Sequence, residues 1–406
     1  MAFDASKMTD TQTAIISPTF HTLQVHQELN PQAPPVITLN SDDRLVISFD
    51  ELADERRYLR YELIHCNARW RPDGMLAPEY VDGFNEATID DYDYSRATTV
   101  RYINYRLSFP SPDMRPLISG NYLLRVYDEQ DPDATLLQVR FSVLEPMTTV
   151  TATVTSRTDI DYNDRHQQLT IGVDATEIPA GDMYSSMLIN VMQNGRHDNM
   201  AYTARPTRIA GTTAWFEHDR NLIFPAGNEY RRMEIVSTTY PGMHVEDISY
   251  SDPYYHADLM IDRPRVTEPY SYDQTQAGRF VIREYNSDDP DTEADYIVTH
   301  FSLDSPELPQ GDVFIDGNLT QRRFNPDSRM VYNRGTGRYE AALLLKQGAY
   351  NYEYLAVMPG STTGLTAQIE GNKYQTINEY TVYVYYREPG GRYDRLVGIT
   401  SATSGI

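Results

Sequence analysis

Chemistry in this chain would have to come from a few places. His65 stands beside Cys66, a pairing that in a loop offers a thiolate with a base, or two metal ligands. Residues 286–295 (NSDDPDTEAD) and 128–133 (DEQDPD) concentrate carboxylates of the kind that hold Ca²⁺. Gly335-Thr336-Gly337 has the composition of a phosphate-cradling turn. Residues 70–94 mix Trp70, Tyr80, Phe84, Tyr92 and Tyr94 with Asp73, Glu79, Asp82, Glu86, Asp90, Asp91 and Asp93. That last mixture suits contact with another protein, aromatics as anchors and acids to steer a basic partner.

Spacing removes most of these. His65 and Cys66 lie in an alternating run, where neighbours point to opposite faces of a strand and therefore diverge. Cys66, the single cysteine, reads as a buried structural thiol. The 286–295 segment lacks the Asp-x-Asp-x-Asp-Gly run and the closing glutamate of a calcium loop, and Pro290 stiffens it. It reads as a solvated acidic loop, as does the 128–133 turn. Gly335-Thr336-Gly337 runs into Arg338-Tyr339 in a hairpin context, whereas a phosphate cradle needs a strand followed by a helix. No Gly-x-Ser-x-Gly elbow, His-Glu-x-x-His, Walker loop or complete dinucleotide fingerprint occurs. The expectation is a non-enzyme with no cofactor and no metal.

The insert admits two readings. Trp70, Tyr80 and Phe84 fold back onto the domain and leave the acids in water, or the insert is a docking surface. The two coexist if an insert stiffened by its own aromatics presents its rim. The candidate partner-binding residues are Trp70, Asp73, Glu79, Tyr80, Asp82, Phe84, Asp90, Asp91 and Tyr92.

Two half-buried strands must position that insert. In 58–66 one face carries Leu59, Tyr61, Leu63 and His65; in 102–109 it carries Ile103, Tyr105, Leu107 and Phe109. The connection between them, about 35 residues with the long insert at 69–99, is of a length that is usually functional. Alternating runs continue throughout, with 24 Pro and 22 Gly between them and no long helical pattern. Segments 36–39 and 45–49 flank Asn40 to Asp43 and read as a hairpin. The expectation is all-β, three consecutive immunoglobulin-like sandwiches at 20–145, 146–263 and 264–406, after a flexible lead at 1–19. The runs at 233–239 and 256–261 fall in the second set, and those at 380–386 and 396–401 in the third. A turn at 178–181 separates two strands of the second set.

Charge narrows the partners. The net charge is -23, which disfavours nucleic acid and anionic headgroups, because phosphates need clustered Lys and Arg. Only Lys7, Lys346 and Lys373 are lysines. No run of about 18 apolar residues could cross a membrane as a helix. The start MAFDASKM has no basic region followed by an apolar one, which leaves a cytoplasmic protein or one whose export signal has been removed.

Three phrases, HCNARW, EYVDGFNEATIDDYDYS and SGNYLLRVYDE, resemble in order and spacing the plug proteins of the type IX secretion system of Bacteroidetes-type bacteria. The resemblance implies a periplasmic protein with its export signal removed. It would close the inner end of a very large outer-membrane β-barrel translocon by steric occlusion, through protein–protein contact. A second likeness lies in DVFIDGN and GRYEAALLLKQGAYNYEYLAV, which resemble starch- and glycogen-binding sandwich modules. Those modules stack sugars on exposed tryptophans, and residues 264–406 contain none. The alternative function, a periplasmic glycan-binding module, would have to use tyrosines such as Tyr350 and Tyr352.

Overall fold

The computed structural model describes residues 8, 10–179 and 182–405. Strand accounts for 48% of the chain and helix for 4%, so the protein is all-β, built from stacked sheets. Alternating apolar residues explain this: each strand has one face that must leave water, and a second sheet is the partner that covers it.

The first sandwich sets Phe20–Gln27, Leu45–Glu51, Ile103–Phe109 and Asp91–Tyr94 in one sheet. The strands Leu59–Cys66, Gly120–Asp128 and Asp131–Leu144 face it. Ile47, Phe49, Leu63, Tyr122, Leu124 and Phe141 meet between them, all essentially out of water. Each such side chain contributes roughly 1.5–3 kcal/mol by its burial.

A second core lies between the sheet containing Thr149–Thr155, His166–Asp174 and Thr213–Phe216 and the strands Met187–Gln193, Glu379–Tyr386 and Arg395–Thr403. The third core is wrapped by one ten-stranded sheet running from Arg231–Ile235 through Gly348–Val357 and Tyr296–Leu303 to Val245–Ser251.

Several strands therefore lie elsewhere than their place in sequence leads one to expect. Glu379–Tyr386 and Arg395–Thr403 follow the third set in sequence but complete the second core: Met187–Gln193 pairs with the former, and Tyr380, Val382 and Val384 are buried there. Conversely Met233, Ile235, Ala257 and Leu259 belong to the third core, because Arg231–Ile235 pairs with Gly348–Val357. The third sandwich is thus nested between two halves of the second. The expected hairpin at 36–49 is also absent. Val36–Thr38 runs parallel to residues 142–144, while Leu45–Glu51 joins the opposite sheet, so the turn carries the chain across the sandwich.

Residues 10–19 do not hang free as a lead. Ala14–Ile15 pairs with Asp131–Leu144, and the Thr11 hydroxyl donates to the Trp70 carbonyl at 2.6 Å. The rest of the expected lead, residues 1–7 and 9, and Ala180 and Gly181 of the turn at 178–181, lie outside the described residues.

Candidate partner-docking site

The insert leaves the end of Leu59–Cys66 at a tight turn. Asn67 Oδ1 accepts from the backbone N–H groups of Arg69 (2.9 Å) and Arg71 (3.1 Å), and Trp70 adopts a left-handed φ of 59°. The turn folds Trp70 back against Ile64, Cys66 and Leu123, with the Arg140 guanidinium 4.5 Å from its ring centre. Trp70 is 7% exposed.

His65 and Cys66 point apart, as strand geometry requires. His65 Nδ1 lies 2.5 Å from Asp73 Oδ2, and its Nε2 lies 3.3 Å from the Ser119 carbonyl oxygen, among the rings of Tyr80, Tyr122 and Tyr393. Cys66 is sealed on the other face, where burial pushes its thiol up to about 12. A thiol so far from ionisation at neutral pH is a poor nucleophile.

Beyond Asp73 the insert is pinned at short intervals. Glu79 accepts from the Leu76 N–H at 2.8 Å and caps the single-turn helix Ala77–Tyr80. Tyr80 is buried, its hydroxyl donating to the Leu63 carbonyl at 2.9 Å, and burial raises its pKa. Val81–Gly83 then pairs with Met114–Pro116. Gly83 has φ +95°, and a Cβ there would sit 2.0 Å from the Asp113 carbonyl oxygen, so only glycine permits this approach. The Asn85 carboxamide imitates a neighbouring strand, accepting from the Leu63 N–H and donating to its carbonyl, both at 2.9 Å. Ala87–Thr88 pairs with the edge strand of one sheet, Ile89 is buried, and Asp91–Tyr94 joins the edge of the other. The insert therefore crosses the side of the sandwich and is held by both sheets.

The candidate residues divide accordingly. Trp70 and Tyr80 are buried and face no partner, so as contact residues they drop out; their area is already spent on the fold. Asp73 is engaged by His65, and Glu79 by Arg392 and the helix cap. Tyr92 is half-buried, with Arg56 lying 4.5 Å from its ring centre and 4.5 Å from that of Tyr58. What reaches solvent is Asp82, Phe84, Asp90 and Asp91, joined by Asp93 and Tyr94. Phe84 is 78% exposed, on a backbone whose N–H donates to the Asp113 carbonyl at 3.2 Å. Sequence reasoning did not single out Asn85 or Gly83, although an Asn two residues after a Gly is a local turn signal.

The other acidic segment differs from expectation. Residues 289–295 are not simply solvated: they hold the first sandwich to the third. Asp289 pairs with Arg96 at 2.9 Å, Asp291 pairs with Arg106, and Asp295 accepts from the Thr99 N–H at 2.8 Å. Among the described residues no cluster of three or more His, Cys, Asp or Glu could hold a metal ion. Gly335 to Gly337 forms the expected hairpin turn, capped by Asn333. Tyr350, Tyr352 and Tyr354 are buried in the third core, so that hairpin offers no platform for stacking a sugar.

The chain is similar over 98% of its length, and over 100% of the other, to the crystal structure of a hypothetical protein from Parabacteroides merdae ATCC 43184, at 44% identity and a TM-score of 0.96. An Escherichia coli alpha-2-macroglobulin fragment spanning domains NIE-MG1 has 12% identity, covering 53% of this chain and 91% of its own, at a TM-score of 0.18 that carries no argument. No curated protein matches. Residues 20–145, which hold the whole insert, match the first domain of the type 9 secretion system plug protein, and the chain belongs to that plug-domain family.

Proposed function

We propose that this chain is a non-enzymatic plug in the periplasm that closes the inner end of the type IX outer-membrane translocon barrel by protein–protein contact, docking through the rim formed by Asp82, Phe84, Asp90 and Asp91. The observation that carries the reading is Phe84: a large apolar side chain, 78% exposed, at the tip of an insert otherwise tied down within a plug-family domain. An exposed aromatic on a fixed backbone binds without a large ordering cost, which is what an anchor residue needs. The acids around it favour a basic surface on the barrel and speed encounter with it. Sealing is then steric, a rigid block of three joined sandwiches occluding the pore, and a stable seal needs roughly 1,000 Å² or more of contact.

Affinity purification of the tagged chain from its native envelope tests this. A very large outer-membrane barrel is expected to co-purify with the wild type and to be lost with Phe84→Ala combined with Asp90→Lys and Asp91→Lys. Retention of the barrel by that folded variant would move the contact elsewhere.

A further inference from the structure

Strand Thr149–Thr155 forms an edge of the five-stranded sheet over the second core. Among the described residues its one hydrogen-bonded strand partner is His166–Asp174, in continuous register from Thr149 opposite Asp174 to Thr155 opposite Gln168, and Arg395–Thr403 lies close beside it without pairing. Among the described residues no backbone hydrogen bond satisfies its other side. Such a row of unpaired N–H and C=O groups is a template for another strand, and proteins ordinarily blunt it.

Other sheet edges among the described residues are blunted. Phe20–Gln27 is broken by a register shift at His21/Gln24, with Thr22 at φ 54°. Asp91–Tyr94 and Val245–Ser251 carry acids, the latter with its own register shift. Arg231–Ile235 carries two arginines and a glutamate, and Ala201–Thr203 and Arg208–Ala210 are three residues each. Thr149–Thr155 has no charge, no proline and no register shift over seven residues.

Its sequence, TVTATVT, reads the same in both directions about Ala152. The threonines are exposed, and Val150, Ala152 and Val154 are half-buried against the second core. An antiparallel strand paired about a two-fold axis sets residue 149 opposite 155, 150 opposite 154 and 151 opposite 153. With this palindrome every such pair is like with like: threonine beside threonine on the wet face, valine beside valine on the core face. Both are favourable cross-strand pairs, and the valines would extend the apolar row of one core into the other. A chain of net charge -23 repels its copy at a distance, but this strand brings no acid of its own to the seam.

We propose that Thr149–Thr155 is a self-association edge, through which two copies of this chain pair antiparallel about a two-fold axis at Ala152. The edge is short beside the roughly 1,200–2,000 Å² of a standard interface, so the dimer depends on concentration, and added salt strengthens it by screening the net charge.

Sedimentation velocity on the whole chain tests this. The wild type is expected to shift from 46.5 kDa toward twice that mass as concentration and salt rise. Thr151→Lys/Thr153→Lys and Thr151→Glu/Thr153→Glu, both on the exposed face, should each stay monomeric because like charges then oppose across the axis. An equimolar mixture of the two should regain the dimer, each lysine now facing a glutamate. That rescue separates a lost edge from a lost fold; thermal melts and the single variant Thr153→Lys give a second check. A wild type that stays monomeric throughout, a dimer unaffected by the lysines, or a mixture without rescue overturns the proposal. A monomer that instead binds an extended strand of another protein on this edge overturns it equally.

Discussion

Lys346 Nζ lies 2.6 Å from Asp50 Oδ2, and the two side chains are 1% and 0% exposed although 296 residues separate them. The pair ties a strand of the first sandwich to a strand of the third. Each group is otherwise satisfied. Tyr296 and Asn104 donate to the Asp50 carboxylate at 2.7 Å each, and Lys346 donates to the Asp291 carbonyl at 2.7 Å, with its Nζ 4.2 Å from the Tyr102 ring centre. Burying two charges costs much of what their attraction returns, so such a pair fixes geometry more than it adds stability.

Breaking one side should therefore hurt more than removing both. Lys346→Met leaves a buried carboxylate without its cation and is expected to cost about 3–5 kcal/mol. The double variant Lys346→Met/Asp50→Asn should recover a large part of that loss. Urea denaturation across the double-mutant cycle measures the coupling; additive losses would show that the two charges do not act as a pair.

Tyr80 and Phe84, four residues apart, should behave oppositely. Tyr80→Ala removes a buried ring and its hydrogen bond and is expected to cost about 3–5 kcal/mol, read as a lower melting temperature. Phe84→Ala should change stability by less than about 0.5 kcal/mol. A loss of barrel capture by Phe84→Ala at an unchanged melting temperature then reports docking and not folding.

Cys66 should be silent in the native protein. With its thiol pushed up to about 12 by burial, a bulky thiol reagent is expected to label it only after denaturation. Rapid labelling under native conditions would mean that the Trp70 turn opens.

Acid should weaken the third sandwich through Asp262. Burial raises the proton affinity of this carboxyl, but the His244 ring 3.2 Å away, the Arg231 guanidinium and the hydrogen bond from the Tyr354 hydroxyl outweigh it and hold the pKa at about 2, below the ordinary 3.8. The folded value is the depressed one, so the stabilisation is present above about pH 4 and is lost as pH falls toward 2. Its size is roughly 2 kcal/mol. Asp262→Asn also loses its charge partner and starts less stable at neutral pH, but the slope of stability between pH 4 and 2 should fall by about one proton. Urea midpoints across that range provide the measurement; an unchanged slope would place the acid sensitivity in other carboxylates.

The sequence alone determined that this chain is all-β, that Cys66 sits inside a strand facing away from His65, and that three phrases between His65 and Glu129 resemble those of a plug protein. Each of these is local. Alternation reports which side of a strand leaves water, and motif phrases report residues that stay close along the chain. Only the tertiary structure decided which strands share a core. Backbone hydrogen bonds between strands are the same whatever the side chains, so nothing in YTVYVYY marks it as a partner of MLINVMQ and not of the hairpin just before it. The exposure of Phe84 beside the burial of Tyr80 depended on the same kind of decision, because an aromatic in a loop reads alike in sequence whether another segment covers it or not. Val81–Gly83 found its partner in Met114–Pro116, and that pairing, with its glycine pressed against the Asp113 carbonyl, left Phe84 at the rim.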